Sequence, residues 1–154
     1  MNNIYYHVNE KELQPGEVKP PSYGHTVDGG DASDPEAELL REKIRAEQFR
    51  EKPSRLRSNY VFESLEEAKQ FRQSFRHPAH FIYEVKFAKE PTSIHKACCT
   101  SHWDHENEAQ RIFDARMYWA NPPLYDTSLN EVFAEENLVI VRQIDPPANT
   151  CFQP

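Results

Sequence analysis

Residues 81–87 have the sequence Phe81-Ile82-Tyr83-Glu84-Val85-Lys86-Phe87, in which apolar and polar side chains alternate. Successive side chains of a β-strand point to opposite faces of the sheet, so this alternation predicts a strand. Shorter apolar segments predict further strands at residues 4–8, 59–62, 130–133 and 138–144. Residues 94–100 are predicted to be either a strand or an irregular segment.

Helices are predicted between these strands. Asp34 and Pro35 form a helix start, and an apolar stripe predicts a helix over residues 35–51, ended by Pro53. Ser64 with Glu67 three residues later is a capping-box pattern and predicts a second helix, which Pro78 closes. Its predicted buried face consists of Leu65, Ala68, Phe71 and Phe75. Residues 106–117 are predicted to be helical, and residues 117–120 are a candidate strand.

These elements follow one another without a regular βαβ order, which predicts the α+β class with a largely antiparallel core. The 154 residues suit a single domain over residues 1–145, followed by a C-terminal tail at 146–154. Pro15-Gly16 predicts a turn, and residues 19–34 are predicted to be a loop.

The composition excludes several classes of protein. The formal charge is -7 and no long Lys/Arg run occurs, which disfavours a broad nucleic-acid surface but leaves a local basic patch open. No apolar stretch approaches the roughly 18 residues that a membrane helix needs, and the N-terminus has no signal-peptide pattern. Three cysteines, two of them adjacent, make no disulfide framework, so a cytoplasmic location is expected.

Three of the predicted strands, far apart in sequence, each carry one reactive polar residue: His7, Tyr60 and Glu131. A histidine, a tyrosine and a glutamate together are suited to hold a dinucleotide and polarise its sugar. Each residue also has a structural explanation, as a strand histidine, a core aromatic or an exposed carboxylate. Glu135 and Glu136 compete with Glu131 for the same role.

In this order the motifs resemble the His–Tyr–Glu branch of the ADP-ribosyltransferase superfamily, as found in small bacterial mono-ADP-ribosyltransferases. Residues 5–7 with Leu13-Gln14-Pro15-Gly16-Glu17 are similar to the first strand and turn of the rifampicin-modifying transferases. Residues 59–68 resemble the tyrosine-bearing strand and the helix that follows it. Residues 129–133, followed by 138–141, resemble the Asn-Glu motif of the poly(ADP-ribose) polymerases. The resemblance implies a compact split β-sheet with flanking helices, and NAD as co-substrate.

The resemblance also implies roles for individual residues. Glu131 would stabilise the positive charge that develops on the ribose as nicotinamide leaves. Tyr60 would stack on the nicotinamide ring, and His7 would donate a hydrogen bond to a ribose hydroxyl. The backbone around Val8 would bind the nicotinamide amide.

The expected cofactor-binding set further contains Ser64 and Arg57. Arg55, Arg57, Arg72 and Arg76 are candidates for contacting pyrophosphate or a nucleic-acid target, although each also suits a solvated face.

Residues 95–105 contain a group of potential zinc ligands: His95, Cys98, Cys99, His102 and His105. The spacing is not a paired Cys-x-x-Cys, and adjacent cysteines on a strand point in different directions, so no metal site is predicted. His77 and His80 form a second, weaker group.

Three functions remain open from the sequence: an NAD-dependent mono-ADP-ribosyltransferase, a non-catalytic nucleotide-binding module of the same fold, or an unrelated α+β interaction protein with a His/Cys zinc site. The acceptor of a transferase is equally open among protein, nucleic acid and small molecule. A small domain of this kind suits a toxin, which would imply an antitoxin or inhibitor as a partner, and no membrane association is expected.

Overall fold

The computed structural model describes residues 3–21, 35–98, 107–120 and 129–145. In these ranges the strands are β1 (Tyr5–Asn9), β2 (Val18–Lys19), β3 (Asn59–Val61), β4 (Phe81–Phe87), β5 (His95–Cys98), β6 (Asn130–Ala134) and β7 (Leu138–Asp145). The helices are α1 (Pro35–Gln48), α2 (Leu65–Phe75) and α3 (Glu108–Ala120), and a short 3-10 helix, Arg55–Arg57, precedes β3. The predicted α+β class is confirmed.

The strands form two antiparallel sheets, with strand orders β1-β4-β7-β2 and β3-β6-β5. One isolated bridge joins them, at which Tyr6 and Phe62 exchange backbone hydrogen bonds of 2.9 and 2.8 Å. Because this bridge is isolated, β1 and β3 form no further ladder beyond it. We call the place where Val8 of β1 and Tyr60 of β3 lie without backbone pairing to each other the split.

β4 is an interior strand of the first sheet, between β1 and β7. Its Ile82, Tyr83 and Val85 side chains are fully buried. Tyr83 and Val85 pack in a core cluster that also contains Val61 and Val132 of the second sheet. Burying one side chain of this size stabilises a fold by about 1.5–3 kcal/mol, so the contacts of β4 hold the two sheets together.

α1 and α3 cover the second sheet. Ile44 of α1, Ala115 and Trp119 of α3, and Phe133 of β6 form one buried cluster. The indole N–H of Trp119 donates to the Arg41 carbonyl (2.8 Å), so the polar atom of this buried ring is satisfied.

The predicted cap of the helix after Ser64 is confirmed. The Ser64 hydroxyl accepts a hydrogen bond from the Glu67 backbone (3.2 Å) and donates to its carboxylate (3.1 Å). Ala68 is buried as predicted, but Phe75 was wrongly assigned to the buried face and is 44% exposed. Phe75 ends the helix, and the buried aliphatic stem and guanidinium of Arg72 occupy the face instead.

Two other predictions were wrong. Residues 117–120 are the last turn of α3, not a strand, because Tyr118 and Trp119 continue the buried helical face. Residue 19 is not in a loop: Val18–Lys19 pairs with Val139 and Leu138 of β7. The predicted turn at Pro15-Gly16 precedes this pairing, and Gly16 adopts a φ of 87° that side-chain-bearing residues rarely adopt.

Within the described ranges no helix is long and apolar enough to cross a membrane. The predicted cap at Asp34, most of the predicted loop, and the tail at 146–154 lie outside the described residues.

Candidate functional site

Arg55 is held by a capped turn immediately before β3. The Ser54 side chain is completely buried; its hydroxyl accepts from the Leu56 backbone (3.2 Å) and donates to Glu42 of α1 (2.8 Å). The Ser54 backbone N–H donates to Glu135, in the turn after β6 (2.9 Å). These bonds fasten the turn to both α1 and the second sheet, which determines where the Arg55 side chain begins.

The Arg55 guanidinium joins three elements. Its Nε donates to Oε2 of Glu38 on α1 (2.8 Å). Its Nη1 donates to Oε1 of Glu131 on β6 (2.7 Å) and to the Tyr118 hydroxyl on α3 (2.6 Å). All three partners are buried, so these are charge-assisted bonds in a place with little water. We call Arg55, Glu38, Glu131, Tyr118 and Tyr60 the arginine cluster.

Tyr60 belongs to this cluster through its ring and its hydroxyl. The Arg55 guanidinium carbon lies 5.1 Å from the centre of the Tyr60 ring, and the Tyr60 hydroxyl donates to the Arg55 carbonyl. Tyr60 is paired with Phe133 across β3 and β6, and their ring centres are 5.3 Å apart. Because side chains alternate along a strand, Glu131 shares the face of Phe133. The structure therefore brings Tyr60 and Glu131 to one face.

The charges of the cluster depend on burial. Burial alone would lower the pKa of Arg55, but Tyr118, Tyr60 and Glu131 raise that pKa well above its usual value. Burial raises the pKa of Tyr118 and of Tyr60 as well, so both phenols stay neutral at pH 7. The cluster thus contains one permanent cation and two carboxylates.

His7 does not share the face of Glu131. It lies on the same face of β1 as Tyr5, which packs in the core cluster of Val61 and Val132. Those two valines point away from the arginine cluster, since they alternate with its residues along β3 and β6. The structure therefore does not place the three predicted catalytic side chains on one surface.

His7 nevertheless touches β3 at the split. Its Nδ1 lies 2.7 Å from the Tyr60 carbonyl oxygen, and because a carbonyl only accepts, Nδ1 carries the proton. Nε2 is then an acceptor; it is buried and has no hydrogen-bond partner among the described residues. Burial, together with the charge of Lys19, lowers the pKa of His7 to about 3. The imidazole is neutral at pH 7, with one unused acceptor.

The Val8 backbone faces the split. In an antiparallel strand, N–H and C=O groups of alternate residues point to the same side. Tyr6 directs both groups to β3, at the bridge with Phe62, so Val8 directs its own groups to that side too. The bridge is isolated, and β3 therefore does not pair with Val8. The Val8 side chain packs beside Phe62 and Ile82, which holds the strand in place.

Two other residues of the predicted cofactor-binding set have structural partners. The Ser64 hydroxyl is used by the cap of α2. The Arg57 side chain is 44% exposed and pairs with Glu135 at 3.1 Å. Among the predicted arginines it is therefore Arg55, not Arg57, that reaches Glu131.

The predicted group of zinc ligands is only partly described. His95 is buried between aromatic rings, and its Nε2 donates to the Tyr118 carbonyl (2.8 Å). Cys98 is buried on the same strand. Cys99, His102 and His105 lie outside the described residues, and no group of three potential ligands occurs within them.

Sequence reasoning missed Glu38 and Tyr118, and did not select Arg55 over the other arginines. Glu38 belongs to a helical pattern that indicates only a solvated face, and Tyr118 lies in residues 117–120, which the sequence suggested as a strand. Two features of the sequence could have identified Arg55. A glutamate on a buried strand, such as Glu131, needs a cationic partner, and Arg55 lies only a few residues before Tyr60 in the sequence.

The chain matches a family model described as "Protein of unknown function (DUF2441)" over residues 5–146, and it belongs to this family. The match covers all strands and helices described above. No curated protein matches the chain.

Proposed function

We propose that this DUF2441 chain is an NAD-dependent mono-ADP-ribosyltransferase with an ADP-ribosyltransferase-like split sheet. The observation that carries the proposal is the split itself. Strands β1, β3 and β6 are neighbours in space, and they bear His7, Tyr60 and Glu131, the residues by which the sequence resembles that superfamily. These strands bring distant parts of the chain side by side, with the Tyr60 and Glu131 side chains on one face and the His7 side chain on the other.

Nicotinamide is the part of NAD that suits the split. Its carboxamide has one acceptor and two donor hydrogens, which match the N–H and C=O of Val8 that β3 leaves unpaired. His7 Nε2 accepts a hydrogen bond from a ribose hydroxyl, so His7 acts as an acceptor, not the donor expected from the sequence. Tyr60 forms the β3 side of the split, and the Arg55 guanidinium packs against the Tyr60 ring.

Glu131 supplies the charge that the reaction needs. The nicotinamide–ribose C–N bond breaks, and nicotinamide leaves as a neutral molecule with the bonding pair. The sugar becomes oxocarbenium-like, and a carboxylate stabilises that positive charge. An acceptor oxygen or nitrogen then bonds to the anomeric carbon and loses a proton. Arg55 binds Oε1 of Glu131 at 2.7 Å, which leaves Oε2 as the acceptor for the substrate.

A non-catalytic nucleotide-binding module is the second candidate. One observation favours it: Glu131 is already paired with Arg55, and Arg55 with Glu38. A carboxylate that is already paired with a cation stabilises a developing positive charge less than an unpaired carboxylate would. This candidate predicts NAD binding with no release of nicotinamide.

The decisive experiment measures nicotinamide release from NAD labelled in its nicotinamide ring, with water and candidate protein, nucleic-acid and small-molecule acceptors. We expect release by the unmodified chain, and a decrease of about 100-fold or more in Glu131→Gln. The matched control is Glu66→Gln, which makes the same change of carboxylate to carboxamide at an exposed position on α2. Thermal stabilisation by NAD without release would favour the binding module. If NAD causes neither nicotinamide release nor thermal stabilisation, both candidates are refuted.

A further inference from the structure

Lys19 is a half-buried cation with a neutral partner. Its ammonium donates to the Asn59 side-chain oxygen (2.9 Å), and no described carboxylate forms an ion pair with it. An ammonium has three donor hydrogens, so two remain for other partners. A cation removed from water without a counter-charge is costly, which makes this position unusual for a purely structural lysine.

Asn59 determines where this cation lies. It is 1% exposed, and its amide donates to the Lys19 carbonyl (3.1 Å) and to the Glu136 carbonyl (2.9 Å). These bonds connect β2, at the edge of the first sheet, to β3 and the turn after β6. Lys19 is therefore fastened to the residue before Tyr60.

His7 lies in the same neighbourhood. Its Nδ1 is bound to the Tyr60 carbonyl, one residue from Asn59, and the charge of Lys19 acts on its imidazole. Its Nε2 is buried and has no hydrogen-bond partner within 3.5 Å among the described residues, although the Asn9 side chain lies near enough to raise the pKa of the imidazole. Within the described part of the chain, an acceptor without a close donor and a cation without a carboxylate are thus two observations beside one strand.

The two groups together define a ligand. His7 Nε2 requires a donor such as a sugar hydroxyl, and Lys19 requires an anionic oxygen. A phosphorylated sugar carries both groups on one molecule, as in a nucleotide, whose 5′-phosphate is joined to the ribose ring through one CH₂–O link. An acidic side chain or a free carboxylic acid would satisfy Lys19 alone.

We propose that Lys19 binds the pyrophosphate of the dinucleotide whose ribose hydroxyl is bound by His7. In naming NAD as the ligand, this inference rests on the proposed function. The phosphate oxygen takes the counter-charge position that no described carboxylate fills. Asn59 positions the ammonium through their mutual hydrogen bonds and does not itself contact the ligand.

The test measures the affinities of NAD, nicotinamide riboside and inorganic pyrophosphate by calorimetry. Lys19→Met keeps the aliphatic stem and removes the charge, and Lys19→Arg keeps the charge. Lys89→Met, at an exposed position after β4, is the matched control. We expect Lys19→Met to weaken NAD and pyrophosphate about 10- to 100-fold, as for loss of one charged hydrogen bond, and to leave nicotinamide riboside unchanged. Lys19→Arg should restore most of the affinity.

The outcomes separate this inference from the proposed function. Unchanged NAD and pyrophosphate affinities in Lys19→Met overturn the inference, while nicotinamide release continues to support the transferase. Lys19-dependent pyrophosphate binding by a chain that neither binds nor cleaves NAD refutes the transferase and overturns the assignment of the bound phosphate to NAD, although Lys19 then still binds phosphate. No binding of pyrophosphate or NAD by the unmodified chain overturns both.

A measurement on the unmodified chain covers the case in which Lys19→Met fails to fold. Lysine side-chain resonances are followed by NMR, and Lys19 is assigned from the signal lost in Lys19→Arg. Pyrophosphate should raise the pKa of the Lys19 ammonium, which burial lowers in the unliganded chain. An unchanged Lys19 titration would overturn the proposal.

Discussion

Removing the charge of Arg55 should destabilise this fold more than removing one partner of an exposed ion pair. Arg55→Met keeps much of the side-chain volume but removes the cation bound to Glu131, and it leaves Glu38 only its longer contact of 3.8 Å with Arg41. Their side chains are 8% and 9% exposed, and that of Arg55 is 12% exposed, so solvent screens the three charges weakly. Breaking a buried pair by removing one partner costs about 3–5 kcal/mol. We therefore expect Arg55→Met to lower the free energy of unfolding by about 3–5 kcal/mol.

The assay is urea unfolding at pH 7, followed by circular dichroism and tryptophan fluorescence, because Trp119 is fully buried beside the cluster. Arg142→Met is the matched control: its side chain is 65% exposed and lies 3.3 Å from Glu84. An exposed pair contributes about 0–1 kcal/mol, so this variant should stay within that range. Adding Glu131→Gln to Arg55→Met should recover part of the loss, since one unpaired carboxylate is then removed.

An Arg55→Met loss no larger than that of the Arg142→Met control would refute this reasoning. It would mean that the carboxylates of Glu38 and Glu131 become protonated or rehydrated at little cost. The double variant gives a second criterion. If Glu131→Gln in the Arg55→Met background causes a further loss instead of a recovery, the two residues do not form an energetically coupled pair.

Three further predictions concern single residues. The folded-state pKa of His7 is about 3, below its unfolded value of 6.5, so the unfolded chain binds more protons between these values. The contribution of His7 to the free energy of unfolding is fully present above pH 6.5 and is lost as the pH falls toward 3. His7→Gln should therefore make the free energy of unfolding depend less steeply on pH between about pH 4 and 6, as measured from urea unfolding midpoints. Tyr118→Phe removes the hydroxyl that accepts from Arg55 and should lower the free energy of unfolding by about 1–3 kcal/mol in the same urea assay, whereas an unchanged value would contradict the 2.6 Å bond. Ser64→Ala removes the cap that accepts from Glu67 and should lower the melting temperature, with a loss of about 0.5–2 kcal/mol, while Ser64→Asp should retain most of the stability.

Local patterns predicted much of the secondary structure. The alternation over residues 81–87 and the Ser64 cap depend on neighbours in sequence, and both appear as predicted. The strand predicted at residues 117–120 failed because aromatic residues favour strands in isolation, whereas Tyr118 and Trp119 here continue a helix that packs on α1. β2 was missed because two residues show no alternation, and their pairing with β7 is a tertiary contact.

The candidate site divides in the same way. The sequence identified His7, Tyr60 and Glu131 from the strands that bear them, and those strands follow one another in space as β1, β3 and β6. It could not assign their faces. The direction of a side chain depends on strand register, and register depends on partners far along the chain. Thus Tyr60 and Glu131 share a face, while His7 points to the other side.

By itself the sequence determined the α+β class, most element positions and the three polar residues on separate strands. The tertiary structure alone decided that Arg55 is the partner of Glu131, that Lys19 lies beside His7 with no counter-charge among the described residues, and that β1 and β3 share a single bridge. The physical reason is that periodicity and capping are local, whereas the pairing of a buried charge depends on which distant strands and helices pack around it.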